Sequence, residues 1–277
     1  MSQLTIASFN IRCYGFGGEY EGRAGDEHRD QALADFISKY LGETDVIVFQ
    51  EICQVHRLKN ILPDDFEYVT YEHDYKRHQH VVIAYKSKYQ VMDPTSNGYI
   101  VDGVILNGKT SRPALYGQLV KRESQTAVAH LIGVHLKSGR FHTESRLDQM
   151  EVICKFVEKL DKNLPCFITG DFNTQGKLFT GREKSDLELF DEVAEAHGLI
   201  RLENQKFTYK TQWEAHLLDH IFYTGQRCRA MDELWVLDVN EVFSGSLDQK
   251  ALKMYYEWIS DHLPILGRFE ISSAAED

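Results

Sequence analysis

Residues 45–51 (DVIVFQE) form an almost continuous apolar run that stops in two polar residues. A run this short and this apolar reads as a strand buried on both faces, so each face needs a covering layer. Residues 4–10 read as a second strand, with Ile6, Ser8 and Asn10 on one face and Thr5, Ala7 and Phe9 on the other. Residues 29–41 have helical spacing, since Leu33, Phe36, Ile37 and Tyr40 fall at i, i+3, i+4 and i+7. Residues 145–160 carry an apolar stripe of Leu147, Met150, Ile153, Cys154, Val157 and Leu160, and the helix at 187–197 stops at Gly198. Strands are expected at 81–85, 89–92, 114–121 and 127–135, as an antiparallel set, and again at 166–169, 217–223, 233–237 and 263–271. This alternation of strands and helices predicts an α/β chain. With no internal repeat or Pro/Ser-rich linker, residues 1–277 are expected to form a single domain with its core at 4–271.

The formal net charge is −11, from 42 acidic against 31 basic residues. That counts against tight static binding of a duplex through phosphate neutralisation, but not against turnover of a nucleic acid, because metal-holding carboxylates add negative charge themselves. Five cysteines, an odd number with no Cys-x-x-Cys pair, argue against a disulfide framework or a zinc ribbon and fit a reducing compartment. No apolar stretch approaches the ~20 residues of a membrane span. The start, MSQLTIASFNIR, lacks a basic segment followed by an apolar one. A cytoplasmic protein is therefore expected; a secreted mature form whose leader has been removed is the alternative.

Polar residues recur at the downstream ends of the strands. Asn10 ends the first and Glu51 the second; His135 ends AVAHLIGVH, and Asp171 and Asn173 follow CFIT. Asp219 and His220 interrupt HLLDHIFY, and Asp261 and His262 precede LPILGRF. One such residue is a common turn former, whereas six sites of one chemical type suggest a shared cleft held by rigid strands. Oxygen ligands such as Glu51, Asp171 and the Asn10 amide suit a hard cation such as Mg²⁺. Such an ion polarises a phosphoryl oxygen and stabilises a leaving oxygen. A histidine beside an aspartate suits proton transfer or phosphate binding. No serine elbow, P-loop or His-Glu-x-x-His motif is present.

SFNIR at 8–12, FQEI at 49–52, GVHLKSG at 133–139, GDFNT at 170–174, LDHIFY at 218–223 and SDHLPI at 260–265 occur in that order. Together they resemble the motif set of the endonuclease/exonuclease/phosphatase superfamily, related to DNase I and exonuclease III. The resemblance implies a four-layer α/β sandwich, two mixed β-sheets packed face to face and flanked by helices. It also implies that Asn10, Glu51 and Asp261 hold or support a metal, Mg²⁺ with Mn²⁺ or Ca²⁺ as alternatives. His135, Asp171, Asn173, Asp219 and His262 would be catalytic. In that scheme Asp171 activates water, Asn173 binds phosphate and fixes Asp171, and Asp219 orients His262. His262 accepts a proton or clamps the phosphate, and His135 binds phosphate or protonates the leaving group.

Arg112, in Ser111-Arg112-Pro113, resembles an arginine that faces a phosphate in DNase-like members, with a structural salt bridge as the alternative. Arg146 and Gln149 resemble an R-x-x-Q pair for which a structural role is preferred. In residues 73–80 (HDYKRHQH), His78 stands where some relatives carry a carboxylate partner for the first histidine, and a zinc pair of His78 and His80 is the weaker reading. Lys137, Arg140, His142 and Arg146 follow His135, and Lys177, Arg182 and Lys184 follow GDFN. Basic residues so placed suit a groove that tracks a phosphodiester chain, with Lys137, Arg140, Arg112 and His78 as substrate-binding candidates. The glycine-rich acidic loop at 15–28 is either functional or a solvated insertion.

The leading expectation is a monomeric, metal-dependent nuclease acting on DNA or RNA. The alternative is a phosphatase or phosphodiesterase acting on a phospholipid, inositol phosphate or small nucleotide. A binding module that keeps the fold without activity comes third.

Overall fold

The computed structural model describes residues 2–19, 22–71, 79–92, 112–177, 181, 183–204, 206–210, 215–238 and 249–272. A first sheet contains β1 (Ser2–Tyr14), β2 (Val46–Ile52), β3 (Phe66–Thr70) and β4 (His80–Lys86). A second contains β5 (Tyr89–Met92), β6 (Leu115–Lys121), β7 (Thr126–His135), β8 (Cys166–Asp171) and β9 (Leu199–Arg201). A two-residue hairpin, β10 (Tyr209–Lys210) and β11 (Ala215–His216), precedes β12 (Asp219–Thr224), which joins the second sheet. The chain then returns to the first sheet with β13 (Cys228–Ala230), β14 (Trp235–Val236) and β15 (Ile265–Ile271). The helices are α1 (Asp26–Leu41), α2 (Thr143–Val157), α3 (Asp186–Ala196) and α4 (Gln249–Trp258).

The first sheet runs β13-β15-β1-β2-β4-β3, with β14 also on β15, and the second runs β5-β6-β7-β8-β12-β9. Each sheet has a central parallel pair, β1 with β2 and β7 with β8, and each pair is joined by a helix, α1 and α2 respectively. Parallel neighbours need such a crossover, and it leaves both strands ending at the same edge. The expectation of one antiparallel set from 81 to 135 is corrected here. β4 pairs with β2 and β3 in the first sheet, while β5, β6 and β7 open the second.

Alternation within the strands builds the layers. Phe9, on one face of β1, meets Phe36 of α1 at 5.5 Å between ring centroids. On the inter-sheet side, Phe167 of β8 meets Phe269 of β15 at 4.7 Å. A second apolar cluster joins Ile132, Val134 and Ile168 to Met150, Ile153 and Val157 of α2 and Phe190 of α3. Burial of each such side chain stabilises the fold by about 1.5–3 kcal/mol. The result is helix, sheet, sheet, helix: a DNase I-like α/β sandwich. Gly133 lets the sheets close, since a Cβ there would lie 2.8 Å from side-chain atoms of Val48 and Val81.

The loop at 15–28 is not a free insertion. Asp26 and His28 belong to α1, Asp26 accepts from Gly17 N at 2.6 Å, and Arg23 donates to Cys13 O at 2.9 Å. Its described residues brace the end of β1 and do not line the cleft. His78 lies outside the described residues, as do Ser111 and Arg182.

Candidate active site

Glu51, His135 and Asp171 stand at the ends of their strands, and Asn10, which was expected to end β1, is instead its last residue in regular register with β2, four residues before the strand stops; the two parallel pairs bring all four to one edge. Asp219 begins β12 directly opposite Asp171, and His262 lies just before β15. Both of these strands run antiparallel to their neighbours, so these residues arrive at the same edge from strand starts. A cleft of about 430 Å³ opens there, and its lining includes Glu51, Asp171, Asn173, Asp261 and His262.

The backbone is bent to aim these groups. Gly170 has φ +151°, and a Cβ there would lie 2.0 Å from Val134 O, so only glycine fits before Asp171. Glu51 and Asn173 occupy left-handed conformations, at φ 61° and 53°, as do Arg12 and Cys13 at 48° and 51°. Such conformations cost non-glycine residues free energy and gather at working sites. Register shifts interrupt β1 against β2 between Asn10 and Tyr14, and β2 against β4 between Phe49 and Ile52. Bulges of this kind re-aim side chains at a strand end.

Asn10 Nδ2 donates to Asp171 Oδ2 at 3.1 Å, and Asn173 N donates to Asp171 Oδ1 at 2.9 Å. Asn173 Nδ2 donates to Leu136 O at 3.1 Å, which fixes the turn. Burial, with Asp219 and Glu51 nearby, pushes the Asp171 carboxyl up to about 7 against the pull of His262. His262 Nδ1 donates to Asp219 Oδ2 at 2.9 Å, and its Nε2 lies 3.8 Å from Asp171 Oδ2. Burial opposes a charge on His262, yet Asp219 and Asp171 outweigh it and raise the imidazole to about 10. His262 is therefore an imidazolium at neutral pH.

His135 behaves oppositely. Burial, Arg112 and His262 hold it well below its ordinary value, so it is neutral. Its Nε2 lies 3.5 Å from Asp171 Oδ2 and 3.8 Å from Glu51 Oε1, while its buried Nδ1 has no hydrogen-bond partner among the described residues. Asp261 lines the cleft and lies 3.5 Å from Arg12 Nε. Arg12 also donates to Tyr256 O at 3.0 Å, and its guanidinium stacks 3.8 Å from the centre of the Tyr256 ring.

Arg112 and Arg140 line the cleft, with the Arg140 guanidinium 4.5 Å from the exposed Phe141 ring. Arg112 donates to Gln79 Oε1. Lys137 is not among the lining residues; its backbone is clamped by Gln149 and Arg146. Arg146, fully buried, pairs with Asp186 and also donates to Gly139 O at 2.8 Å, so the R-x-x-Q pair shapes the loop that carries Arg140. Of the second basic cluster, Lys177 and Lys184 pair with Glu188 and Glu192 of α3 and are not among the residues lining the cleft.

The sequence reading missed Cys13, Gln79, Thr208, Tyr209 and Ser260. Thr208 Oγ1 accepts from the N–H groups of Leu218 and Asp219, and Ser260 Oγ donates to Asn10 O at 2.7 Å and accepts from His262 N. The Tyr209 ring lies 5.1 Å from the His262 ring, edge on. Only Ser260 carried a usable signal, since it sits inside the SDHLPI motif.

The sequence model of the Endonuclease/Exonuclease/phosphatase family matches residues 7–262. The chain belongs to this family. Its fold is similar to that of the human Nocturnin catalytic domain with bound sulfate, at a TM-score of 0.69 and 15% identity, covering 98% of this chain and 95% of that one. TDP2 from D. rerio, complexed with a single-strand DNA product, gives 0.68 and 14%, covering 98% and 100%. A family protein from Bacteroides vulgatus gives 0.67 and 17%, covering 98% and 100%. No curated protein matches the sequence. Membership places the chain among the phosphoesterases, and no described helix is long and apolar enough to cross a membrane.

Proposed function

We propose that this chain is a divalent-metal-dependent phosphodiesterase, a nuclease hydrolysing DNA or RNA. One observation carries the reading: the His262 imidazolium, held by Asp219 at 2.9 Å, faces the Asp171 carboxylate across the floor of an open cleft. A fixed cation beside a base that titrates near neutrality suits attack of water on a phosphate.

Asp171 takes the proton of the attacking water, with its carboxylate held by Asn10 and Asn173. His262 clamps a non-bridging phosphate oxygen through Nε2 and opposes the charge that develops on it. Neutral His135 offers its Nε2 toward the leaving oxygen, and Arg112 and Arg140 bind flanking phosphates.

The donor set fits a hard cation. Glu51, Asp171 and Asp261 bring carboxylates to the same cleft, and His135 lies 3.8 Å from Glu51 Oε1. Among the described residues no three His, Cys, Asp or Glu side chains form a ready cage. Mg²⁺ takes one or two carboxylates and fills its shell with water and substrate oxygens. When bound, it would supply Lewis-acid polarisation of the phosphoryl oxygen and stabilise the leaving oxygen. Glu51 would hold it, with Asn10 and Asp261 in support.

The solved TDP2 complex with a single-strand DNA product supports a polymeric substrate. A small phosphoester is the second reading, favoured by the pairing of Lys177 and Lys184 with α3 rather than with the cleft. Supercoiled plasmid, single-stranded RNA and a small bis-phosphodiester, each with Mg²⁺, Mn²⁺ or EDTA, separate the two. Cleavage of a polymer with metal supports the nuclease; cleavage of the small ester alone removes it.

A further inference from the structure

We propose that Cys13 is a positioning residue: its backbone N–H and its thiol together fix one oxygen of Glu51, so that the other faces a divalent cation in the cleft. This rests on the reading of Glu51 as a cation-holding group. Cys13 N and Cys13 Sγ both donate to Glu51 Oε2, each at 3.1 Å. Glu51 Oε1 is left toward His135, 3.8 Å away.

The direction of these bonds follows from chemistry. A guanidinium has donors and no acceptor, so the contact of Arg112 with Gln79 must be to the amide oxygen. The Gln79 amide nitrogen then faces Cys13 Sγ, at 3.0 Å, and donates to it. The sulfur is therefore an acceptor on that side, and its own proton goes to Glu51. Arg112, Gln79, Cys13 and Glu51 form one chain with a single polarity, buried at Gln79 and Cys13 and open to the cleft at its two ends, running from a substrate-facing arginine to a cation-holding carboxylate.

The backbone is shaped for this contact. Cys13 and Glu51 are both left-handed, at φ 51° and 61°, and each lies within a register shift of its own strand. The two bulges turn the Cys13 N–H and the Glu51 side chain toward each other. Cys13 is 2% exposed, and its thiol meets polar groups on two sides, unlike a thiol that only fills apolar space.

Mn²⁺ binding by electron paramagnetic resonance, with thermal unfolding in the absence of metal, tests the assignment on the full chain. Partners that orient a metal ligand typically change affinity by about 10–100-fold. Cys13→Ala should weaken Mn²⁺ binding by about 10-fold or more, and Cys13→Ser, which keeps a donor and an acceptor, should recover most of it. Gln79→Leu should weaken binding by a few-fold. If Cys13→Ala does not fold, Gln79→Leu decides, and wild-type affinity in either folded variant overturns the proposal. Glu51→Gln separates the two levels. Loss of Mn²⁺ there with unchanged binding in Cys13→Ala removes the proposal alone, whereas unchanged binding in Glu51→Gln removes the reading beneath it as well.

Discussion

Asn10 of the first sheet donates to Asp171 of the second at 3.1 Å, so this carboxylate is held across the seam between the sheets. This bond favours the charged form of Asp171. Asn10→Ala should therefore lower kcat and move the acid limb of the pH–rate profile upward. A profile with the same limb and a lower plateau would assign Asn10 to another task.

The pH profile itself follows from two groups. In the proposed reaction Asp171 acts ionised and His262 protonated, so kcat/KM should rise as pH passes about 7 and fall as it passes about 10. A cation beside Asp171 favours its charged form, so increasing metal should shift the acid limb downward. Rate measurements at low and saturating Mg²⁺ check both the shape and the shift.

Asp219→Asn keeps the shape of the partner of His262 but removes its charge. The imidazole then loses its principal support against burial, and the rate at neutral pH should fall by about 10²–10⁴-fold. Nuclear magnetic resonance titration of His262 should show a lowered pKa in the same variant.

Acid stability turns on His220. Thr174 Oγ1 donates to Leu217 O, so it accepts from His220 Nε2 at 3.1 Å, and His220 Nδ1 is buried with no hydrogen-bond partner among the described residues. Burial, and then Arg201, lower this imidazole from 6.5 to about 3. A folded value below the unfolded one makes the contribution complete above 6.5 and lost as pH falls. At pH 4.5 the loss is about 3 kcal/mol relative to pH 7, measurable by urea unfolding of wild type against His220→Gln, whose stability should vary less.

Arg146 and Arg140 should separate cleanly. Arg146→Met breaks a buried ion pair with Asp186 and should cost about 3–5 kcal/mol by urea unfolding, with disordering of the loop at 137–140. Arg140→Ala should leave stability unchanged, raise KM and reduce the salt dependence of binding.

Much of this arrangement was legible because its signals are local. GDFN and the apolar run before Glu51 each announce a strand end, SDHLPI announces a strand start, and the helical stripes at Leu33 and Met150 mark the crossovers that make the central pairs parallel. What escaped depends on tertiary contact. Nothing in CYGF says that the Cys13 thiol reaches Glu51, and HQHVV does not reveal that Gln79 contacts both Cys13 and Arg112. The lysines after GDFN could not be placed from sequence, since charge there does not reveal a partner, and in the fold Lys177 and Lys184 pair with glutamates of α3. β3 was missed because EYVT is short, and α4 was passed over although Leu252, Tyr255 and Tyr256 fall at i, i+3 and i+4.

The central claim is that Glu51, Asp171 and His262 hydrolyse a phosphodiester with a divalent cation. Its most direct measurement is cleavage of a single-stranded oligonucleotide by wild type and by Glu51→Gln, each with Mg²⁺ and with EDTA. Metal-dependent cleavage by wild type, abolished by EDTA and reduced by at least about 100-fold in Glu51→Gln, is the expected result. Cleavage unaffected by EDTA, or retained at the wild-type rate in a folded Glu51→Gln, would contradict it.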